Sequence, residues 1–157
     1  QLFNEFNFVH NRLPNMNDVY KPYGFVEIQP LIPRNAGHEA VRELLQMCQR
    51  DGWQSLLCGI KRHSPDPYML SYADDGYSIG IDVALRGRSK RDVTRIANKI
   101  FDFVIECKGR VYLAKDELLP EDKFAKMYPR LDEFRALKST VDPSKFLMSD
   151  MGRRLKI

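Results

Sequence analysis

The chain has 157 residues, 43% of them hydrophobic and 29% charged, the balance of a soluble globular domain rather than a disordered one. Its 25 basic and 21 acidic residues give a formal charge of +4 and a pI of about 9.0; the two signs are interspersed, which permits an anionic ligand without demanding nucleic acid. No run approaches the roughly 18 apolar residues of a membrane span. The start, Gln1-Leu2-Phe3-Asn4, has neither an initiator Met nor a signal-peptide pattern, so the chain is expected to be a piece of a longer protein.

Residues 1–22 hold aromatic residues (Phe3, Phe6, Phe8) among several Asn and two prolines and read as a lead-in loop from an upstream region. Over 23–31 a β-rich alternation predicts a strand. Beyond Pro33 and Asn35, residues Val41, Leu44, Leu45 and Cys48 fall at helical spacing, and Gly52 closes that helix. A second strand is expected over 54–61, broken by Ser64-Pro65-Asp66-Pro67, with a further short strand over 68–72. Asp74-Asp75-Gly76 reads as a hairpin-type turn into a strand over 77–83.

From Ser89 a second amphipathic helix puts Val93, Ile96, Ala97, Ile100, Val104 and Cys107 on one face; Gly109 ends it and 110–114 is the last strand. The order β-α-β-β-α-β is that of the split βαβ motif: an α+β fold with a ferredoxin-like antiparallel sheet and both helices on one face. The domain unit runs over 23–114. From 115 to 157 the composition changes to a helical C-terminal tail, with helices opening at Pro120 and Pro129, a turn at Asp142-Pro143 and a last short helix capped by Ser149. Trp53 is expected in the core.

Cys48, Cys58 and Cys107 are odd in number, widely spaced and set in apolar segments; they read as buried free thiols of a reducing compartment, which points to the cytoplasm. His10, His38 and His63 show no metal-ligand spacing, so no metal site is expected. Gly-rich phosphate loops, GxSxG and HExxH are absent.

Alternation sorts the strand residues into two sets. Val26, Ile28, Ile79, Ile81, Val111 and Leu113 should meet the helices; Glu27, Gln29, Ser78, Gly80, Asp82, Arg110 and Tyr112 should line the open face. With the first strand between the third and fourth, Gln29, Asp82 and Tyr112 converge, Lys115 stands just past the last strand and Lys61 ends the second. Gly80 leaves room for a flat ligand to approach the backbone. RNA-recognition modules share this topology, and Tyr23-Gly24-Phe25-Val26 looks superficially like their aromatic motif, but that motif belongs on the third strand, where Ser78-Ile79-Gly80-Ile81 offers no stacking ring. Nucleic acid is not expected as a partner.

The segment Gly109-Arg110-Val111-Tyr112-Leu113-Ala114-Lys115-Asp116, together with Met127-Tyr128-Pro129-Arg130-Leu131, the Val141-Asp142-Pro143 turn and Ser149-Asp150-Met151-Gly152-Arg153-Arg154-Leu155, resembles the C-terminal part of FAD-linked oxidoreductases of the vanillyl-alcohol oxidase superfamily. The resemblance is to the decaprenylphosphoryl-ribose oxidase branch, akin to the sugar-lactone oxidases. It implies an upstream FAD-binding domain, a substrate domain whose open face covers the flavin, and a tail that returns to the FAD domain. By the same resemblance Lys115 and Asp82 would be catalytic, Lys115 and Tyr112 would contact the cofactor, and Gln29, Lys61, Tyr112 and Gly80 would line a pocket for a sugar or polyol. Gly80 departs from the cysteine found there in the mycobacterial ribose oxidases. The implied reaction is oxidation of an alcohol with hydride transfer to FAD, by a fragment inactive alone and able to self-associate. The competing reading is a stand-alone ferredoxin-like module that binds a small ligand without catalysis.

Overall fold

The computed structural model describes residues 15–56 and 58–157. Most of the lead-in expected over 1–22 lies outside the described residues; its last part, Met16–Tyr20, is a 3-10 helix rather than a loop, and it buries Tyr20 against Phe25. The strands are β1 (Phe25–Ile28), β2 (Pro30–Pro33), β3 (Ile60–His63), β4 (Gly76–Ile79), β5 (Ile81–Ala84) and β6 (Arg110–Val111). The long helices are α1 (Gly37–Arg50) and α2 (Lys90–Glu106), and the tail forms α3 (Glu121–Met127), α4 (Leu131–Val141) and α5 (Asp150–Leu155).

β1 pairs with β5, and β3-β4-β2-β6 form a four-stranded sheet, all antiparallel. Ile28 faces Ile81 and Leu31 faces Ser78, so the register is unchanged across the break at Gln29 and Gly80. β1–β2 and β4–β5 are therefore two long strands, each interrupted once. At the interruption Gln29 turns its carbonyl to the Tyr112 N–H (2.9 Å) and Gly80 donates its N–H to the Gly59 carbonyl (3.0 Å). The first strand lies between the third and fourth of the βαββαβ order, as the α+β, ferredoxin-like reading requires.

Local chemistry sets the helix ends. Ser89 caps α2 by accepting from the Asp92 N–H at 3.1 Å. α1 closes with Gly52 N–H on the Gln49 carbonyl and Trp53 N–H on Cys48, a turn that needs the left-handed φ of +68° at Gly52. α2 closes in the same way with Lys108 in the left-handed position (φ 57°), and the next residue, Gly109, has no room for a side chain beside the Leu31 carbonyl and Val104. Leu44 and Cys48 of α1 and Val93, Ile96, Ala97, Ile100, Phe101 and Val104 of α2 bury one face of the sheet with Val26, Ile28, Ile32, Ile79, Ile81, Val83 and Val111. Trp53 is core, 1% exposed.

Four sequence expectations shift. The second strand sits at Ile60–His63 instead of 54–61, because residues 53–56 pack Trp53 into the core and carry no strand. No strand forms over 68–72: the Asp66 carboxylate accepts from Tyr68 N–H (3.0 Å) and the Ser71 hydroxyl (2.6 Å), winding the segment into turns. Asp74-Asp75-Gly76 is not a tight hairpin but the end of a long loop, 64–75, closed by the His63–Gly76 pair. The last strand stops at Val111, and Leu113–Lys115 is a 3-10 turn.

Both ends of the tail join the same core. Leu119, Phe124, Met127, Tyr128, Leu131 and Leu155 are buried, and the Tyr128 hydroxyl donates to the Val111 carbonyl at 2.6 Å. Lys123 bridges to Asp102 (2.6 Å) and the Asn98 carbonyl on α2. Arg154 docks on Asp116 at 2.8 Å, whose side chain is 1% exposed, while Arg153 pairs only with exposed Asp150. Val141, Phe146 and Leu147 remain largely exposed.

Candidate functional site

The face of the sheet away from α1 and α2 divides into two clusters on either side of the Gln29–Gly80 interruption. In the first, Glu27 and Asp82 sit opposite each other on β1 and β5. The 3-10 turn after β6 brings the Lys115 ammonium to 2.8 Å from Glu27 Oε2. That hydrogen bond, reinforced by the charges of Glu27 and Asp82, holds Lys115 above the usual lysine range against a smaller opposing effect of burial. Lys115 is thus a cation at any physiological pH, with 46% of its side chain exposed toward solvent. The Asp82 backbone N–H donates to Ser55 Oγ at 3.0 Å, tying β5 to the segment before β3. Tyr20 closes this end: its hydroxyl is buried without a hydrogen-bond partner among the described residues, and burial, then the charges of Asp82 and Glu27, keep it protonated.

The second cluster is a connected polar chain. Gln29, 4% exposed, donates through Nε2 to the Tyr72 hydroxyl (3.0 Å) and Ser78 Oγ (3.2 Å). His63 Nε2 lies 2.8 Å from Ser78 Oγ and 3.3 Å from the Tyr72 hydroxyl. Burial, followed by the charges of Lys61 and Arg62, keeps His63 below its ordinary pKa and so favours the neutral ring. The Tyr72 ring stacks on Tyr112 with centroids 4.3 Å apart and 28° between planes, and meets His63 edge-on.

Loop 64–75 makes this possible by folding over the sheet. Arg110 anchors it, donating to the Ser71 (3.0 Å) and Ala73 (3.3 Å) carbonyls and pairing with Asp74 at 3.4 Å. Leu31, on the same face, is fully buried. Between the loop and α4 lies a largely apolar cleft of about 630 Å³ lined by Met69, Leu70, Tyr72, Tyr112, Leu113 and Phe134.

Of the residues singled out from sequence, Lys115 and Asp82 fall in the first cluster and Gln29 and Tyr112 in the second, with Gly80 between them. Lys61 opposes Ser78 in register and is exposed. A Cβ built on Gly80 would meet Glu27 Oε1 at 3.5 Å and the Gly59 carbonyl at 4.0 Å, so Gly80 itself leaves a gap on this face, bordered by the Glu27 carboxylate that holds Lys115. Sequence reasoning missed Glu27 as the partner of Lys115, and missed Tyr20, His63 and Tyr72. Glu27 was visible two residues before Gln29 on the same face, and His63 two after Lys61; Tyr72 had no signal, because a loop crossing a sheet leaves no periodicity. The thiols also differ from expectation: Cys48 is buried and pushed up to about 11 by burial, but Cys58 is exposed and Cys107 half-buried. Residues 54–56, 58 and 59 form no strand and Cys58 is left uncovered.

The molecule is therefore an α+β domain of ferredoxin-like order whose free face gathers a lysine–carboxylate cluster and a tyrosine–amide–histidine chain beside the gap left by Gly80. Residues 19–155 match the family model described as D-arabinono-1,4-lactone oxidase, and the chain belongs to that family. This agrees with the resemblance to FAD-linked oxidases. Decaprenylphosphoryl-beta-D-ribose oxidase of Mycolicibacterium smegmatis is 31% identical over 90% of this chain and 30% of its own length. L-gulono-1,4-lactone dehydrogenase of Mycobacterium tuberculosis is 25% identical over 83% of this chain and 30% of its own. The chain thus spans about a third of the length of these relatives. Among the described residues no helix is long and apolar enough to cross a membrane.

Proposed function

We propose that the chain is the substrate-side, C-terminal portion of an FAD-dependent oxidoreductase that oxidises an alcohol group of a sugar or sugar-like lactone. One observation carries the reading: a charged Lys115 is fixed by Glu27, whose carboxylate also borders the gap left by Gly80, on the face that carries Asp82. The donor set fits a flavin ring, since a flat ring can lie over the gap at Gly80 and an ammonium suits the negative charge a reduced flavin acquires. Lys115 and Tyr112 would hold it, and when bound it would supply the hydride acceptor.

The chain's own residues have separate tasks in this reading. Asp82 accepts the proton of the reacting hydroxyl, with Lys115 stabilising the negative charge that develops on that oxygen. Gln29, Tyr112 and Lys61 hold the remaining hydroxyls by hydrogen bonds, which orients one C–H bond toward the ring. In this reading 23–114 covers the substrate, an upstream domain binds FAD, and the tail of 115–157 reaches that domain through exposed Phe146 and Leu147.

The test uses the full-length protein with D-arabinono-1,4-lactone and L-gulono-1,4-lactone as probes and a dye as electron acceptor. The purified protein is expected to show flavin absorption. Lys115→Ala is expected to lower kcat/KM by about a hundredfold or more. Its stability should change by less than about 1 kcal/mol, because the Lys115 side chain is nearly half exposed. Normal turnover in that variant, or a full-length protein without flavin, would overturn the reading in favour of a non-catalytic ligand-binding module.

A further inference from the structure

Of the hydrogen-bond chain His63–Ser78–Gln29–Tyr72, only Gln29 has a contact role above; the other three stand behind it. Ser78 is fully buried, so its 2.8 Å contact with His63 is no nucleophile–base pair: no substrate carbon can reach Oγ. Gln29 carries two amide protons on Nε2, and both are used inward, one on Tyr72 and one on Ser78. What remains of the amide for a ligand is its carbonyl oxygen, which no described donor reaches. An amide free to rotate would present either end; this one presents an acceptor.

Tyr72 makes the second link. The same hydroxyl that accepts from Gln29 lies 3.3 Å from His63 Nε2, and the same ring stacks on Tyr112. One side chain thereby sets both the orientation of the Gln29 amide and the plane of the Tyr112 ring. It comes from loop 64–75, which Arg110 and Asp74 pin to the sheet.

We propose that Tyr72 and His63 are positioning residues for the substrate pocket: they lock Gln29 as a hydrogen-bond acceptor and Tyr112 in plane, and so select ligands that bring a hydroxyl donor to Gln29. The inference rests on the function proposed above and deepens it. Orientation of a group that contacts the substrate before and during the reaction changes binding in both states alike, so its loss raises KM and spares kcat.

The experiment compares full-length wild type, Tyr72→Phe, His63→Phe, His63→Gln and Lys115→Ala with the two lactones. A second readout, independent of turnover, is solvent exchange of the Gln29 side-chain amide protons by NMR with 15N-glutamine labelling. Tyr72→Phe keeps the stack and deletes the hydroxyl; it is expected to raise KM about five- to tenfold with kcat within about twofold, and to speed exchange of the Gln29 amide. His63→Phe should behave likewise, and His63→Gln, which restores an acceptor, should recover most of the KM. Unchanged KM in Tyr72→Phe and His63→Phe, while Lys115→Ala is inactive, would overturn the positioning role and leave the proposed function standing; faster amide exchange with unchanged KM would do the same by making the chain purely structural. Normal turnover in Lys115→Ala would strike the proposed function itself.

Discussion

The two faces of one sheet, built from alternate residues of the same strands, obey different rules. On the face under α1 and α2 the central strands bury Val26, Ile28, Ile32, Ile79, Ile81, Val83 and Val111, and removal from water accounts for that composition. On the other face the same strands carry Glu27, Gln29, Ser78 and Asp82, and solvation does not account for them: Gln29 and Ser78 are as buried as the core, yet polar and mutually bonded. A merely wet face would have left them exposed. Burying polar side chains that bond to one another is costly to arrange and is the mark of a face organised to present particular atoms.

Glycine substitutions break this comparison most sharply. A methyl at Gly109 would overlap the Leu31 carbonyl and press on Val104, so Gly109→Ala is expected to cost about 3 kcal/mol or more in chemical unfolding. Gly80→Ala meets only ordinary contact distance, so stability should stay within about 1 kcal/mol while the methyl intrudes on the gap and raises KM for the lactones several-fold. Equal destabilisation by both would make the Gly80 gap a packing feature.

A smaller effect sharpens the electrostatics of the open face. Glu27 raises the Lys115 pKa, so the pair's contribution is complete at neutral pH and is lost as pH rises through the folded-state value, above the usual lysine value of 10.5. Glu27→Gln removes the first-ranked cause, and the alkaline fall of turnover should move to lower pH, read from kcat/KM profiles. The stability change should be under about 1 kcal/mol, because Lys115 is half exposed. An unmoved alkaline limb would remove Glu27 from the control of Lys115. The smallest effect concerns the thiols: with iodoacetamide under native conditions Cys58 should be alkylated first and Cys48 last, followed by mass spectrometry, since exposure governs access and burial pushes the Cys48 thiol up to about 11.

Both helices were legible because amphipathic spacing, a Ser89 cap and glycines near the ends act locally. The strand order followed from the βαββαβ sequence and the handedness of crossovers. The second strand was misplaced because its exposed, charged stretch Lys61-Arg62-His63 has no apolar alternation, while the segment before it looks β-like but serves Trp53. In the candidate site, alternation sorted Gln29, Gly80, Asp82 and Tyr112 onto one face, and the position of Lys115 after the last strand was readable as well. The pairing of Lys115 with Glu27 joins residues 88 apart in sequence, and nothing local announces such a contact.

The amino-acid sequence by itself determined which side chains each strand turns to either face, where the helices start and stop, and the family, because period, capping and motif residues are short-range properties. Only the tertiary structure decided that loop 64–75 lies over the sheet, that Tyr72 ties Gln29, His63 and Tyr112 together, and that the first and last helices of the tail complete the core. Those outcomes depend on which distant surfaces bury each other, a free energy summed over the whole fold rather than written in any one segment.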